Sequence, residues 1–194
     1  MKLFQLAFAC KLYGPLGDYD SSLKTFRESV GLELNVQDAA HRRALFVWLR
    51  KWGCRQFAKA HEGMAGDALR AWADRFLHTL PSSRVPLLNL SPTMIRNAAD
   101  AYENLRDRRA CWQERKSGPC LVTFGPAGAA KTLFALRPNA LPPWDDPIRE
   151  GLDYDKSADS YSRFLANAQS HLREVLEEAA RFGISADKLP AKLS

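Results

Sequence analysis

The stretch FGPAGAAKT, Phe124 to Thr132, decides how this chain is read, because it fits two unlike loops. From Gly125 it spells G-P-A-G-A-A-K-T. That is one residue short of the loop G-x-x-x-x-G-K-[ST], whose backbone N–H groups encircle phosphate while the lysine reaches the outer oxygens. The apolar run CLVTF just before it, Cys120 to Phe124, strengthens the match, since such a loop follows a buried strand. Ala130, however, stands where the second glycine belongs, and its methyl group restricts backbone that must approach phosphate closely. No later apolar strand ends in an aspartate for magnesium, and the residues that follow have helical spacing rather than alternating strand and helix. The second reading is the turn of a helix-hairpin-helix, whose backbone amides grip a DNA phosphate without reading bases. Ala127 to Leu136 is then the second helix, with Gly128, Ala129 and Ala130 small because another helix lies close. Gly125 and Gly128 form the DNA-facing turn, and Lys131 and Arg137 sit near the duplex.

Outward from this stretch, nearly every periodic segment reads as helix. Asp38 is placed to cap a helix carrying Leu45, Trp48, Leu49 and Trp52, and Gly53 ends it where positive φ is commonly required. A second helix is predicted from Ala65 to Leu80, stopped by Pro81. Ser91-Pro92 opens a third, with Ile95, Ala98, Ala99, Tyr102 and Leu105 inward. The clearest runs from about Ala158 to Phe182, its stripe passing through Tyr161, Phe164, Leu165, Leu172, Val175 and Ala179, and Gly183 ends it. Strand signals are confined to CLVTF and PLLNL (Pro86 to Leu90), and neither shows the partners a sheet needs. The expected fold is therefore a single all-α domain over residues 1–194. Its N-terminal helical part covers about 1–118, the central hairpin and aspartate segment about 119–152, and a packing helix about 157–183.

The chain of 194 residues is long enough to bury a core, and its net charge of +6 admits a polyanionic partner. Asp38 to Lys59 holds six basic residues against one acidic, and Arg50, Lys51 and Arg55 in WLRKWGCR are candidates for the phosphate backbone. From Asp153 to Glu178 the balance reverses, six acidic against three basic. Four cysteines without a CxxC or a regular framework read as reduced thiols of a cytoplasmic protein. The opening MKLFQLAFAC is too short and too interrupted for a secretory signal and reads as a buried first element. No run approaches the roughly 18 apolar residues of a membrane span, so no membrane association is expected. His41, His61, His78 and His171 are far apart and form no ligand pattern with cysteines or acids, so neither a metal nor another cofactor is expected.

ALRPNALPPWDDPIREGL, Ala135 to Leu152, resembles the segment that follows the hairpin in the helix-hairpin-helix DNA glycosylase superfamily. On that pattern Leu121 to Gly125 matches the hairpin, Pro143-Trp144 the lead-in, Asp145 the catalytic aspartate, Ile148 the aliphatic position and Arg149 the basic one. The likeness covers about Leu121 to Leu152 and departs from the family at three points. Thr123 replaces the first hairpin glycine, and Ala127 occupies the position of the Schiff-base lysine of members that also cut the strand. No cysteine follows Cys120, so the four-cysteine iron–sulfur cluster of some members is absent.

The resemblance implies a monofunctional N-glycosylase acting on a damaged or modified base in duplex DNA. Loss of the base leaves positive charge on the sugar, which a carboxylate beneath it stabilises while orienting or deprotonating water, and this is the role implied for Asp145. Flipping the base into the enzyme requires an aromatic-lined pocket, for which Trp144 is the candidate. Two other roles stay open at this point. Asp145 and Asp146 also suit the cap and first turn of a helix beginning at Pro147. The protein also fits a non-catalytic helix-hairpin-helix DNA-binding module, or a glycosidase for free modified nucleosides or nucleotides.

Overall fold

A computed structural model describes residues 19–115 and 117–185, and the expected N-terminal element MKLFQLAFAC lies outside them. Helix outweighs strand, 64% to 7%. In chain order the helices are α1 (Tyr19–Val30), α2 (Ala39–Lys51), α3 (Glu62–Phe76) and α4 (Pro92–Arg106). A hairpin of strands β1 (Arg109–Arg115) and β2 (Gly118–Thr123) follows, then α5 (Gly125–Leu136), the short α6 (Asp146–Gly151) and α7 (Ala158–Arg181). No helix among the described residues is long and apolar enough to cross a membrane.

The local rules hold where the caps are strong. Asp38 Oδ1 accepts from the amides of Ala40 and His41 at the start of α2, and Ser91 Oγ accepts from Met94 N at the start of α4. Gly53 and Gly183 take the left-handed conformation expected after their helices, with φ of +85° and +68°. The helix foreseen from Ala65 begins a turn earlier, at Glu62, and beyond Phe76 tightens into 3-10 geometry over Leu77–Thr79. PLLNL is not a strand, because Leu87–Asn89 form a 3-10 turn. Its carbonyls are held from α7, where Gln169 Nε2 donates to the carbonyls of Leu87, Leu88 and Leu90.

One expectation is met in part and another is corrected. The described chain is mostly helical, as expected, but it also carries one strand pair: CLVTF is paired, antiparallel, with RACWQER, Trp112 opposite Leu121 and Gln113 opposite Cys120. There is no helix-hairpin-helix at Gly125, since what precedes the glycine is β2 and the preceding amide, Phe124 N, donates back to Arg108 O. Apolar β-branched content made β2 visible. Its partner is hidden by charged and polar residues, which suit a strand whose exposed face meets water.

One hydrophobic cluster runs from Phe26 to Leu165. Helix α4 packs against both α5 and α7. Trp72 Nε1 donates to Ala101 O at 2.9 Å, joining α3 to α4. At one side Phe26, Trp48, Trp52 and Phe134 stack α1, α2 and α5 together. At another Tyr102, Trp144, Tyr161 and Phe164 form a second aromatic group between α4 and α7, and Trp144 anchors in it the segment that leads to Asp145.

Candidate functional site

The end of α2, the start of α5 and the turn into α6 converge on a cleft of about 380 Å³. Trp52 to Cys54 and Gln56 form one wall, Gly125 to Ala127 with Lys131 a second, and Asp145 to Pro147 with Lys156 the third. Local structure explains the convergence. Gly53 turns the chain after α2 so that Gln56 Nε2 donates to Phe124 O, the N-cap carbonyl of α5. Gly125 turns it again, at φ +68°, from β2 into α5. Gly128 lies beneath Gln56 and Phe57. A Cβ there would stand 2.9 Å from Gln56 Nε2 and 3.1 Å from Phe57 Cε2.

Lys131 is the charge at the centre. It is 7% exposed, donates to Trp52 O at 2.7 Å and sits 3.4 Å from Asp145 Oδ2. Its ammonium also lies 5.8 Å from the centroid of the Trp52 ring. Asp145 occupies the N-cap position of α6, yet its carboxylate makes no capping bond. It turns instead toward Lys131 and the cleft, keeping 30% of its side chain exposed. The cap role left open by the sequence is therefore not the one its side chain takes. Asp146 pairs with Arg149, a residue 3% exposed whose guanidinium lies against Trp144 at 5.3 Å. Cys54 also lines the cleft, and its thiol is pushed up to about 11, chiefly by burial, with Lys131 opposing and Asp145 and Asp146 adding to the rise.

The start of α5 has no side-chain cap and opens on the same cleft, and Pro126 in its first turn has no N–H to satisfy. Amides left without intrahelical partners at a helix start favour an anionic group. The site thus offers a held carboxylate, a buried ammonium and an electropositive helix end within one small concavity.

Of the residues assigned from sequence, Asp145, Gly125 and Lys131 meet in this cleft. Lys131 is turned inward there, to a carbonyl and a carboxylate. The other assigned residues take other partners. Arg137 donates to Pro81 O and Leu136 O, and burial lowers its guanidinium from the ordinary value. Arg50 is spent on Phe57 O and on Glu62 at 2.9 Å. Gly128 is a packing residue rather than part of an amide trap. Trp144 is fully buried among Tyr102, Tyr161 and Phe164 and cannot stack on a flipped base. Lys51 and Arg55 are exposed, and Arg55 lies between the cleft residues Cys54 and Gln56.

The tryptophan that does line the cleft is Trp52, which the helical stripe of α2 had assigned to the core. It does both, being half-buried and stacked at 6.0 Å on Phe134. Gln56, Cys54 and Lys156 were not anticipated. Gln56 follows a helix-ending glycine, the one local sign that the chain turns back there, and Lys156 carries no such sign. The P-loop reading fails structurally as well. The sheet is a two-stranded antiparallel hairpin, and the lysine reaches a protein carbonyl.

A larger groove, about 720 Å³, lies between α3, α4 and the start of β1. Among its lining residues Glu103 and Asp107 are held by Arg106, Arg108 donates to Asn104 Oδ1, and Asp100 and Arg109 add one charge of each sign. It gathers none of the residues singled out above. Compared with protein-family models, with curated proteins and with solved structures, the chain matches none of them.

Proposed function

We propose that the cleft hydrolyses an N-glycosidic bond in a nucleotide unit, as a monofunctional glycosylase acting on a modified or damaged base in DNA. The observation that carries this reading is the Asp145 carboxylate. It stands at a helix start without capping it, is held from one side by Lys131, and is open to the cleft on the other. A carboxylate so placed meets the cation that develops on a sugar as the base departs, and it orients the water that replaces the base. The exposed Lys156 on the cleft wall, and Arg55 between the lining residues Cys54 and Gln56, supply positive charge for a strand. Resemblance to the helix-hairpin-helix glycosylases supports the same role for Asp145, through its position in PPWDDPIR rather than through the hairpin.

A specific observation favours a second reading, a glycosidase for free nucleotides. Lys131, Arg137 and Arg50, three of the cations assigned to a DNA backbone, are bonded to the protein itself. A cleft of about 380 Å³ is on the scale of a small-ligand pocket.

The test is base release and abasic-site formation, measured on duplexes carrying oxidised, deaminated, alkylated and mismatched bases and, in parallel, on mononucleotides. Asp145→Asn is expected to lower the rate by roughly 10²–10³, the usual loss for a preorganised charge-stabilising group. Base release that persists in Asp145→Asn removes Asp145 from the chemistry. Release confined to mononucleotides selects the second reading.

A further inference from the structure

Arg149 is a charged residue inside the protein with an incomplete set of partners. It is 3% exposed, and its Nη2 donates to Asp146 Oδ1. Its Nη1 is buried and has no hydrogen-bond partner among the described residues. A buried donor on a charged group that lacks an acceptor is costly, so the arrangement favours a second oxygen at this guanidinium. Asp146 supplies one oxygen only and is itself 64% exposed on the cleft wall.

The two partners are thus unequal. Asp146 returns to water at little cost, as exposed members of ion pairs do, whereas the guanidinium cannot follow it. Arg149 therefore always needs an anion, and Asp146 is a replaceable one. The anion that satisfies a planar fork best presents two oxygens side by side, as a phosphate does.

We propose that Arg149, which lies behind the part of the cleft wall that Asp146 forms, is a phosphate-binding residue, exchanging Asp146 for the phosphate monoester of a nucleotide. This rests on the nucleotide reading above and deepens it. Asp145 and Asp146 line the same small cleft, so a sugar over Asp145 holds its own phosphate in the concavity whose wall Asp146 forms. Two groups that do line the cleft suit a dianion, the uncapped start of the twelve-residue α5 and the Lys156 ammonium. Asp146 in this picture is a stand-in for the ligand that holds the guanidinium paired until substrate arrives. The monoester can belong to a free mononucleotide or to the end of a strand, which present the same chemistry to the fork.

The exchange has a signature that a purely structural ion pair lacks: removing Asp146 should improve anion binding. Inorganic phosphate binding by the full chain is measured by calorimetry for wild type, Asp146→Ala, Arg149→Lys and the double variant, with circular dichroism as the check on folding. Asp146→Ala is expected to bind phosphate about tenfold tighter, the order of one charge-assisted hydrogen bond. The double variant, which keeps the charge but loses the fork, is expected to lose that gain. Unchanged or weaker binding by Asp146→Ala overturns the proposal. So does a gain that survives Arg149→Lys, since it then reflects net charge alone.

Adenosine against its 5′-monophosphate, and a short oligonucleotide with and without a 5′-phosphate, separate the two sources. A preference for the phosphorylated form in either pair that disappears with Arg149→Lys supports the proposal, and equal binding of both members of each pair opposes it. Because these are binding measurements, Arg149-dependent phosphate binding without base release would leave this inference standing and remove the glycosidase reading. Base release without Arg149-dependent phosphate binding would do the reverse.

Discussion

Lys131 keeps its charge inside the protein by having two oxygens within reach, Trp52 O at 2.7 Å and Asp145 Oδ2 at 3.4 Å. Removing the ammonium leaves a carbonyl without its donor and a partly buried carboxylate without its counter-charge. Lys131→Met is accordingly expected to lower stability by about 1–3 kcal/mol. On the proposed function it also slows base release, because Asp145 loses the contact that aims it. Urea denaturation paired with the base-release assay checks both, and a variant as stable as wild type would show that the pair is not what holds this corner. The sequence marked both residues as carriers of chemistry, Lys131 through its place in a glycine-rich stretch and Asp145 through PPWDDPIR. What it withheld was direction. A lysine one turn into a helix reads as a surface cation until the packing of α2 against α5 is known, and the carbonyl it finds belongs to Trp52, 79 residues earlier.

At the level of elements, α5 owes its close approach to the loop after α2 to Gly128. Adding a methyl group there displaces the Gln56 amide from Phe124 O and presses on the Phe57 ring, whose Cε2 and Cζ would lie 3.1 and 3.2 Å from it. Overpacking of this kind costs about 1–3 kcal/mol, against a helix-propensity gain of roughly 0.5–1 kcal/mol on replacing glycine. Gly128→Ala is expected to be destabilising by about 1 kcal/mol, read as a lower urea midpoint with an unchanged slope. A more stable variant would mean that the loop after α2 yields freely. The same element shows where sequence reading succeeds and stops. Small residues at positions 128–130 announced a close neighbour, and one is there. They could not distinguish a preceding helix from a preceding strand, because the residues that decide it, Arg109 to Arg115, pair with β2 through backbone rather than apolar side chains. The caps of α2, α4 and α7, by contrast, are local hydrogen bonds within three residues, and Asp38 and Ser91 were legible for that reason.

For the whole molecule, the shared core imposes one consequence on acid–base behaviour. It buries acidic groups whose ordinary ionisation lies in alkali: the Cys54 thiol is pushed up to about 11 and the Tyr102 hydroxyl up to about 12, both chiefly by burial. Burial also raises Tyr161, which sits with Tyr102 and Trp144 between α4 and α7. Each group keeps its proton in the folded chain at a pH where the unfolded chain has released it. Between the unfolded and folded values the unfolded state binds fewer protons, so stability is full below about pH 8.5 and falls as pH rises toward 11 and 12. Cys54 alone contributes a loss of about 3 kcal/mol across its window. Urea midpoints at pH 7, 9 and 10.5 should therefore fall progressively. Cys54→Ala should flatten the early part of that fall and Tyr102→Phe the later part, each measured relative to its own stability at pH 7. A midpoint that stays level to pH 10.5 would mean that the cleft floor and the aromatic group open to solvent well below the energy of global unfolding. Such opening would let the thiol and the hydroxyls ionise in place, and it would make the floor beneath Asp145 softer than its packing implies.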